Sequence, residues 1–153
     1  MSLLLIGYGN AGRGDDGLGP AFAARIEAAR LEGWKVDIDY QLTVEHAPQV
    51  AAVNTVVFAD ALIGGDAPFT FTPVEADGAA DIASHALLPE AVLALADMLY
   101  GKAPKAFVLG ISGKSFGEVA EGLSAAALAN LGRAEDFFLE WVVAEAENRP
   151  RAR

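Results

Sequence analysis

The sequence predicts an α/β fold: one domain on a mostly parallel sheet, with helices covering both faces. Three observations carry this. The chain has 153 residues, the length of a single domain. Apolar, β-branched runs alternate along it with stretches of helical periodicity, as in strand–helix–strand units. The runs TVVFA at 55–59 and AFVLGI at 106–111 are apolar throughout, as central parallel strands are when both faces are buried.

The elements follow in order. Residues 2–6 are a short apolar run ending in glycines, the first expected strand. A glycine-rich loop occupies 7–19. From about Leu18 the apolar residues Phe22, Ile26 and Ala29 recur at helical spacing, and Glu32-Gly33 should stop this helix near Leu31. Residues 35–40 alternate Val36 and Ile38 with Asp37 and Asp39, a strand with one wetter face. Residues 45–53 suit a short helix with Pro48 near its start. The strand at 55–59 should end at Asp60. A turn at 63–68 leads to an alternating strand at 69–74, which Pro73 places at a sheet edge. Residues 78–85 are a polar connection. The helix at 89–100 should start on Pro89 and stop at Gly101. After the strand at 106–111 comes a second glycine-bearing loop at 113–122. Residues 123–147 are helical, with Gly132 as a candidate break. The domain spans 1–148, and a basic tail at 149–153 should fray.

Composition narrows the function. Hydrophobic residues make up 53% of the chain, enough for a sizeable core and too many for general disorder. Acids outnumber bases 21 to 11, and three of the bases are Arg149, Arg151 and Arg153. The body before them therefore carries a net charge of −13. Such a body repels phosphate backbones and anionic lipid, so neither nucleic acid nor a membrane is an expected partner. The absence of cysteine excludes disulfides, thiolate metal sites and a cysteine nucleophile. The N-terminal MSLLLIGYGN lacks a basic region, and its apolar run is too short for a signal peptide or a span. A cytoplasmic monomer is the expectation.

In parallel sheets the active site lies beyond the carboxyl ends of the strands. Three places qualify: the loop after Ile6, the position after Ala59 and the loop after Ile111. In the first, Gly7, Gly9 and Gly12 fit G-x-G-x-x-G between a strand and a helix. A dinucleotide-binding oxidoreductase is one reading, with Asp37 or Asp39 as the ribose acid. Against it, Asp15 and Asp16 stand where pyrophosphate would meet the helix N-terminus. Asp15 suits an N-cap. Asp16, on a glycine-flanked loop, suits a hard oxygen ligand for a divalent cation. Asp60 tops a central strand, and His85 follows Ser84 in the polar stretch before the helix at Pro89. Two carboxylates and one imidazole form an N/O donor set with room for water. His46, in Val44-Glu45-His46-Ala47, reads as a helix start, with Glu45 as a candidate polar partner.

The third loop matches G-x-S-x-G at Gly113-Lys114-Ser115-Phe116-Gly117. No histidine follows His85, which argues against the usual hydrolase triad. Val108 stands where a P-loop needs its first glycine, which excludes that motif too.

Gly7-Tyr8-Gly9-Asn10 followed by Arg13-Gly14-Asp15-Asp16-Gly17-Leu18-Gly19 resembles the N-terminal signature of the [NiFe]-hydrogenase maturation endopeptidases. Phe58-Ala59-Asp60-Ala61 resembles their second motif, and Ser84-His85 ahead of an apolar helix their third. Gly122-Leu123-Ser124 is also similar. The likeness runs in order from residue 2 to about 142. It implies a twisted five-stranded sheet between helices. It also implies a hydrolase that removes the C-terminal extension of a nickel-loaded large-subunit precursor. By motif, the nickel-binding and catalytic residues fall on Asp16, Asp60 and His85. Many members carry glutamate where this chain has Asp16, which shortens that ligand's reach.

Two mechanisms are compatible with such a trio, one aspartic and one metal-dependent in style. The metal either polarises the scissile carbonyl or activates water, or the three side chains probe nickel already held by the substrate. Weak oxygen ligands with a single imidazole favour the probe. A non-catalytic chaperone of the large subunit is the remaining alternative.

Overall fold

The computed structural model describes residues 2–78, 86–117 and 119–148. His85 and the tail at 149–153 lie outside them. Five strands form one sheet: β1 (Leu3–Tyr8), β2 (Trp34–Asp39), β3 (Thr55–Ile63), β4 (Phe69–Pro73) and β5 (Lys105–Gly113). Their order is β2-β1-β3-β5-β4. All neighbours are parallel except β4, which runs antiparallel along β5. The four helices are α1 (Leu18–Ala29), α2 (His46–Ala51), α3 (Pro89–Tyr100) and α4 (Ala125–Asn148). A 3-10 turn over Gly14–Gly17 precedes α1.

Alternation along each strand sends neighbouring residues to opposite faces. Leu4, Ile6, Val56 and Phe58 bury themselves with Val50 of α2 and Val92 of α3. Leu5, Val57, Leu109 and Ile111 pack with Phe22 of α1 and Phe138 of α4. This is the expected three-layer domain.

Several boundaries differ from expectation; β1 runs on to Tyr8 and β5 to Gly113. β3 does not end at Asp60 but continues to Ile63, because its ladder with β5 runs on through Asp60–Gly110 to Ile63–Gly113. Asp60 is therefore held inside a paired strand rather than on a loop. α4 passes Gly132 without a break. The glycine costs about 1 kcal/mol against alanine. The buried stripe Ala127, Leu131, Ala134 and Phe138, spaced for one helix face, outweighs that cost. α1 stops two residues early, at Arg30 in the left-handed conformation (φ 50°).

Gly7 and Gly19 set how closely α1 lies on the sheet. A Cβ on Gly7 would strike the Gly19 carbonyl, and one on Gly19 would strike the carbonyls of Tyr8 and Ala59. These two glycines serve helix–sheet packing.

Candidate functional site at the carboxyl edge of the sheet

The loop after β1 folds back on itself and on the loop after β5. Gly9 adopts φ 144°, open only to glycine, with the Asp16 carbonyl directly over its α-carbon. Nearly every amide in this loop has an acceptor. Gly9 N–H donates to the Asp39 carbonyl, Arg13 N–H to the Asn10 carbonyl, Gly14 N–H to the Ala120 carbonyl and Asp15 N–H to the Ser115 carbonyl. Gly12 N–H donates to Asn10 Oδ1, and Asn10 N–H donates to Asp16 Oδ2 at 2.8 Å. Pyrophosphate binding needs such amides free and pointing outward. The dinucleotide reading therefore has no phosphate cradle in this structure.

Asp15 is not the N-cap of α1. That position is Gly17, and no side chain caps it. Asp15 is instead fully buried and ties the two loops together. Its carboxylate accepts from Lys114 N–H (2.8 Å), Ser115 N–H (2.9 Å), Ser124 N–H and the Ser124 hydroxyl (both 2.7 Å). Ser124 Oγ in turn accepts from Ala127 N–H and caps α4. Burial alone would raise the Asp15 pKa, but these four donors outweigh it and hold the group at about 2.

Asp16 and Asp60 are brought to the same edge. Asp60 lies on the face of α2 and α3, with Tyr8 beside it on β1. The Tyr8 hydroxyl donates to the Asp60 carboxylate, and Ala61 N–H donates to Asp60 Oδ1 at 2.7 Å. Burial pushes Asp60 up to about 6, the charge of Asp16 adds to that, and the donors from Ala61 and Tyr8 oppose it. Tyr8 is itself pushed well above its usual range by burial and by the Asp60 charge. Asp60 is thus ionised at neutral pH but at a cost, in the field of a second carboxylate. A cation between the two would relieve both effects.

Sequence reasoning missed Tyr8. The available signal was its position at the last rung of β1, where alternation places it on the same face as Ile6.

A third polar group stands across β1 from Asp60. Tyr8 pairs in register with Asp39 of β2. His46, 2% exposed, places Nε2 3.2 Å from Asp39 and 3.6 Å from Asp37. His46 does open a helix as expected, but its partners are Asp37 and Asp39 rather than Glu45. One ligand atom from each of the three lies within 4.8 Å of the others, close enough for a metal ion. The tautomer argues otherwise. Thr43 N–H donates to His46 Nδ1 at 3.0 Å, so Nδ1 is an acceptor and the ring proton sits on Nε2. A ligating histidine needs the reverse arrangement, with the proton on its outer nitrogen. This cluster therefore holds a proton between an imidazole and two carboxylates.

No protein-family model matches the chain, and no curated protein does. Solved structures do. The hydrogenase maturating endopeptidase HybD from E. coli superposes with a TM-score of 0.71 at 20% identity, over 95% of this chain and 94% of that one. The [NiFe] hydrogenase maturation protease HycI from Thermococcus kodakarensis gives 0.69 at 21%, over 91% and 90%. A hydrogenase 2 maturation peptidase from the Thaumarchaeota archaeon SCGC_AB-539-E09 gives 0.68 at 22%, over 93% and 98%.

The chain has the fold of the hydrogenase maturation endopeptidases.

On that maturation-endopeptidase fold, Asp16 and Asp60 occupy one edge, the loop after β5 is fastened to them by Asp15, and Tyr8 lies beneath. Ser115 serves this fastening through its backbone: its N–H donates to Asp15, and its carbonyl accepts from Asp15 N–H. The third predicted ligand, His85, lies outside the described residues. The described chain resumes at Ala86, and Leu87 N–H donates to the Leu42 carbonyl on the α2 face.

Proposed function

We propose that this protein is an endopeptidase that removes the C-terminal extension from a nickel-loaded [NiFe]-hydrogenase large-subunit precursor. In this reading Asp16, Asp60 and His85 engage the nickel that the substrate already holds. The observation that carries it is the pairing of Asp16 with Asp60 on this fold. Asp60, near 6, is a half-buried carboxylate beside a second negative charge, a pair that gains from a cation. Leu87, two residues beyond His85 in the chain, is anchored on the Asp60 face.

The donor chemistry favours inspection over capture. Two carboxylates and one imidazole, in a chain with no cysteine, bind nickel weakly beside the thiolates of a partner. The protease would thus dock on a loaded precursor without stripping it. Nickel can also polarise a nearby carbonyl. The roles of this chain's own residues are simpler: Asp60 is ionised at neutral pH and can accept a proton, Tyr8 fixes its orientation, and Asp15 holds the loop that carries Asp16. The protein works as a hydrolase on a macromolecular partner. Among the described residues no helix is long and apolar enough to cross a membrane.

The test incubates nickel-loaded precursor with the wild type and with Asp16→Asn, Asp60→Asn and His85→Ala, and reads the precursor's C-terminus by mass spectrometry. Cleavage by the wild type alone is expected. An uncut precursor rejects the enzyme, whereas cleavage by all three variants rejects the site. Tight nickel uptake by the isolated protein would reject inspection in favour of a resident metal.

A further inference from the structure

The cleft between the β3–β4 turn and the first turns of α4 belongs to none of the groups above. It encloses about 600 Å³, and Gly65, Asp66, Ser112, Lys114, Asn130 and Arg133 are among its lining residues. Ser112 fastens its walls. The buried Ser112 hydroxyl donates to the Ala67 carbonyl at 2.6 Å, and Asn130 Nδ2 donates to the Ser112 carbonyl at 2.8 Å. Gly65 lies so close that a Cβ there would fall 2.5 Å from Ser112 Oγ. The turn, the end of β5 and α4 thus form one pre-arranged surface.

The charge of this cleft opposes that of the body. Among the described residues, ion pairs use Arg25, His46 and Lys105, and neither Lys114 nor Arg133 takes part. Asp66 is the sole carboxylate in the lining and pairs with neither cation. In a chain of net charge −10, two unpaired cations on one cleft create a local field that an anion can enter. The guanidinium fork suits a carboxylate. The cleft also adjoins the candidate site: Lys114 lines it, and Lys114 N–H donates to Asp15, the neighbour of Asp16.

We propose that this cleft is a carboxylate-binding subsite for an acidic peptide segment, with Lys114 and Arg133 supplying the charge. The peptide identity rests on the processing reading, in which the segment is the precursor's extension beyond the scissile bond. The carboxylate belongs to an acidic side chain or to the chain terminus.

Fluorescence anisotropy with a fluorescein-labelled decapeptide, carrying two glutamates and a free C-terminus, reads binding without cleavage. Wild-type protein should capture it, less tightly as salt is added. Lys114→Gln/Arg133→Gln should weaken capture by about tenfold or more, while Lys102→Gln binds as the wild type does. Amidation of the terminus in one arm, and Gln for both glutamates in another, shows which carboxylate is held. No capture by the wild type overturns the proposal. So does equal binding of the fully neutralised peptide, or unchanged affinity in a double variant whose thermal unfolding matches the wild type. Precursor cleavage is scored separately. Peptide capture without cleavage keeps the subsite and rejects the processing reading. Cleavage without charge-selective capture rejects the subsite alone.

Discussion

Asp15 and Asp60 stand at the same edge of one sheet, the first fully buried and the second half-buried, and burial pushes both toward the neutral form. They end at about 2 and about 6. The difference lies in their partners. Asp15 has four donors from the loop after β5 and the start of α4. Asp60 has Ala61 N–H and the Tyr8 hydroxyl, and Asp16 adds a negative charge. A carboxylate saturated with donors is a structural fastener. One that is desolvated, under-supplied with donors and paired with its own kind is prepared for a cation or a proton. Asp16, next to Asp15 in the chain, is half-buried, and its one backbone donor among the described residues is Asn10 N–H.

The largest expected effect breaks the fastener. Asp15→Ala leaves two backbone amides of one loop and the cap of α4 without their acceptor. It should destabilise the protein by about 3–5 kcal/mol, at the upper end for single substitutions. Urea unfolding measures it, and a loss below about 1 kcal/mol would remove the contrast with Asp60. Next, Asp60→Asn should do the opposite. A carboxyl raised from 3.8 to about 6 makes the folded state unfavourable for the charge by up to about 3 kcal/mol at neutral pH. The amide variant should therefore be more stable at pH 7 than the wild type, yet fail to process precursor. Lower stability together with lost processing would mean that Asp60 is structural like Asp15.

The two groups also divide the pH axis. Asp15 has a depressed folded pKa, so its contribution is complete above about 4 and disappears as pH falls toward 2. Asp60 has a raised folded pKa, so the folded state binds the extra proton between about 4 and 6. Stability should fall as pH rises through that window. Asp60→Asn should flatten the upper slope in thermal unfolding and leave the lower one. The smallest effect is Tyr8→Phe. It removes one donor, costs about 1 kcal/mol, and moves Asp60 above 6, because that hydrogen bond lowers its pKa. Carboxyl-carbon NMR titration reads the direction, and an Asp60 that moved down would reverse Tyr8's role.

Much of this was legible in the chain. TVVFA and AFVLGI announced central strands because both faces of a parallel strand are apolar. Pro73 announced an edge because it cannot donate to a ladder. Asp60 and the Asp15-Asp16 pair were legible as candidates because acids beyond the apolar core of a parallel strand fall toward the carboxyl edge of the sheet. The end of β3 was not legible. Pairing with β5 carries the strand through Asp60, and only the partner's register fixes that. The continuity of α4 through Gly132 was equally hidden, since its buried stripe, not local propensity, decides it.

By itself the sequence determined the layered fold and the absence of any thiolate ligand or nucleophile. Periodicity and composition act locally, and those conclusions need no more. Which of two adjacent aspartates fastens the loops and which has a single backbone donor, the donor from Tyr8 to Asp60 and the two unpaired cations of the α4 cleft were decided by tertiary structure alone. Each depends on groups up to about a hundred positions apart, as from Asp15 to Ser115 or Ser124. A carboxylate's chemistry is set by how many donors the fold brings to it, and one-dimensional spacing does not contain that number.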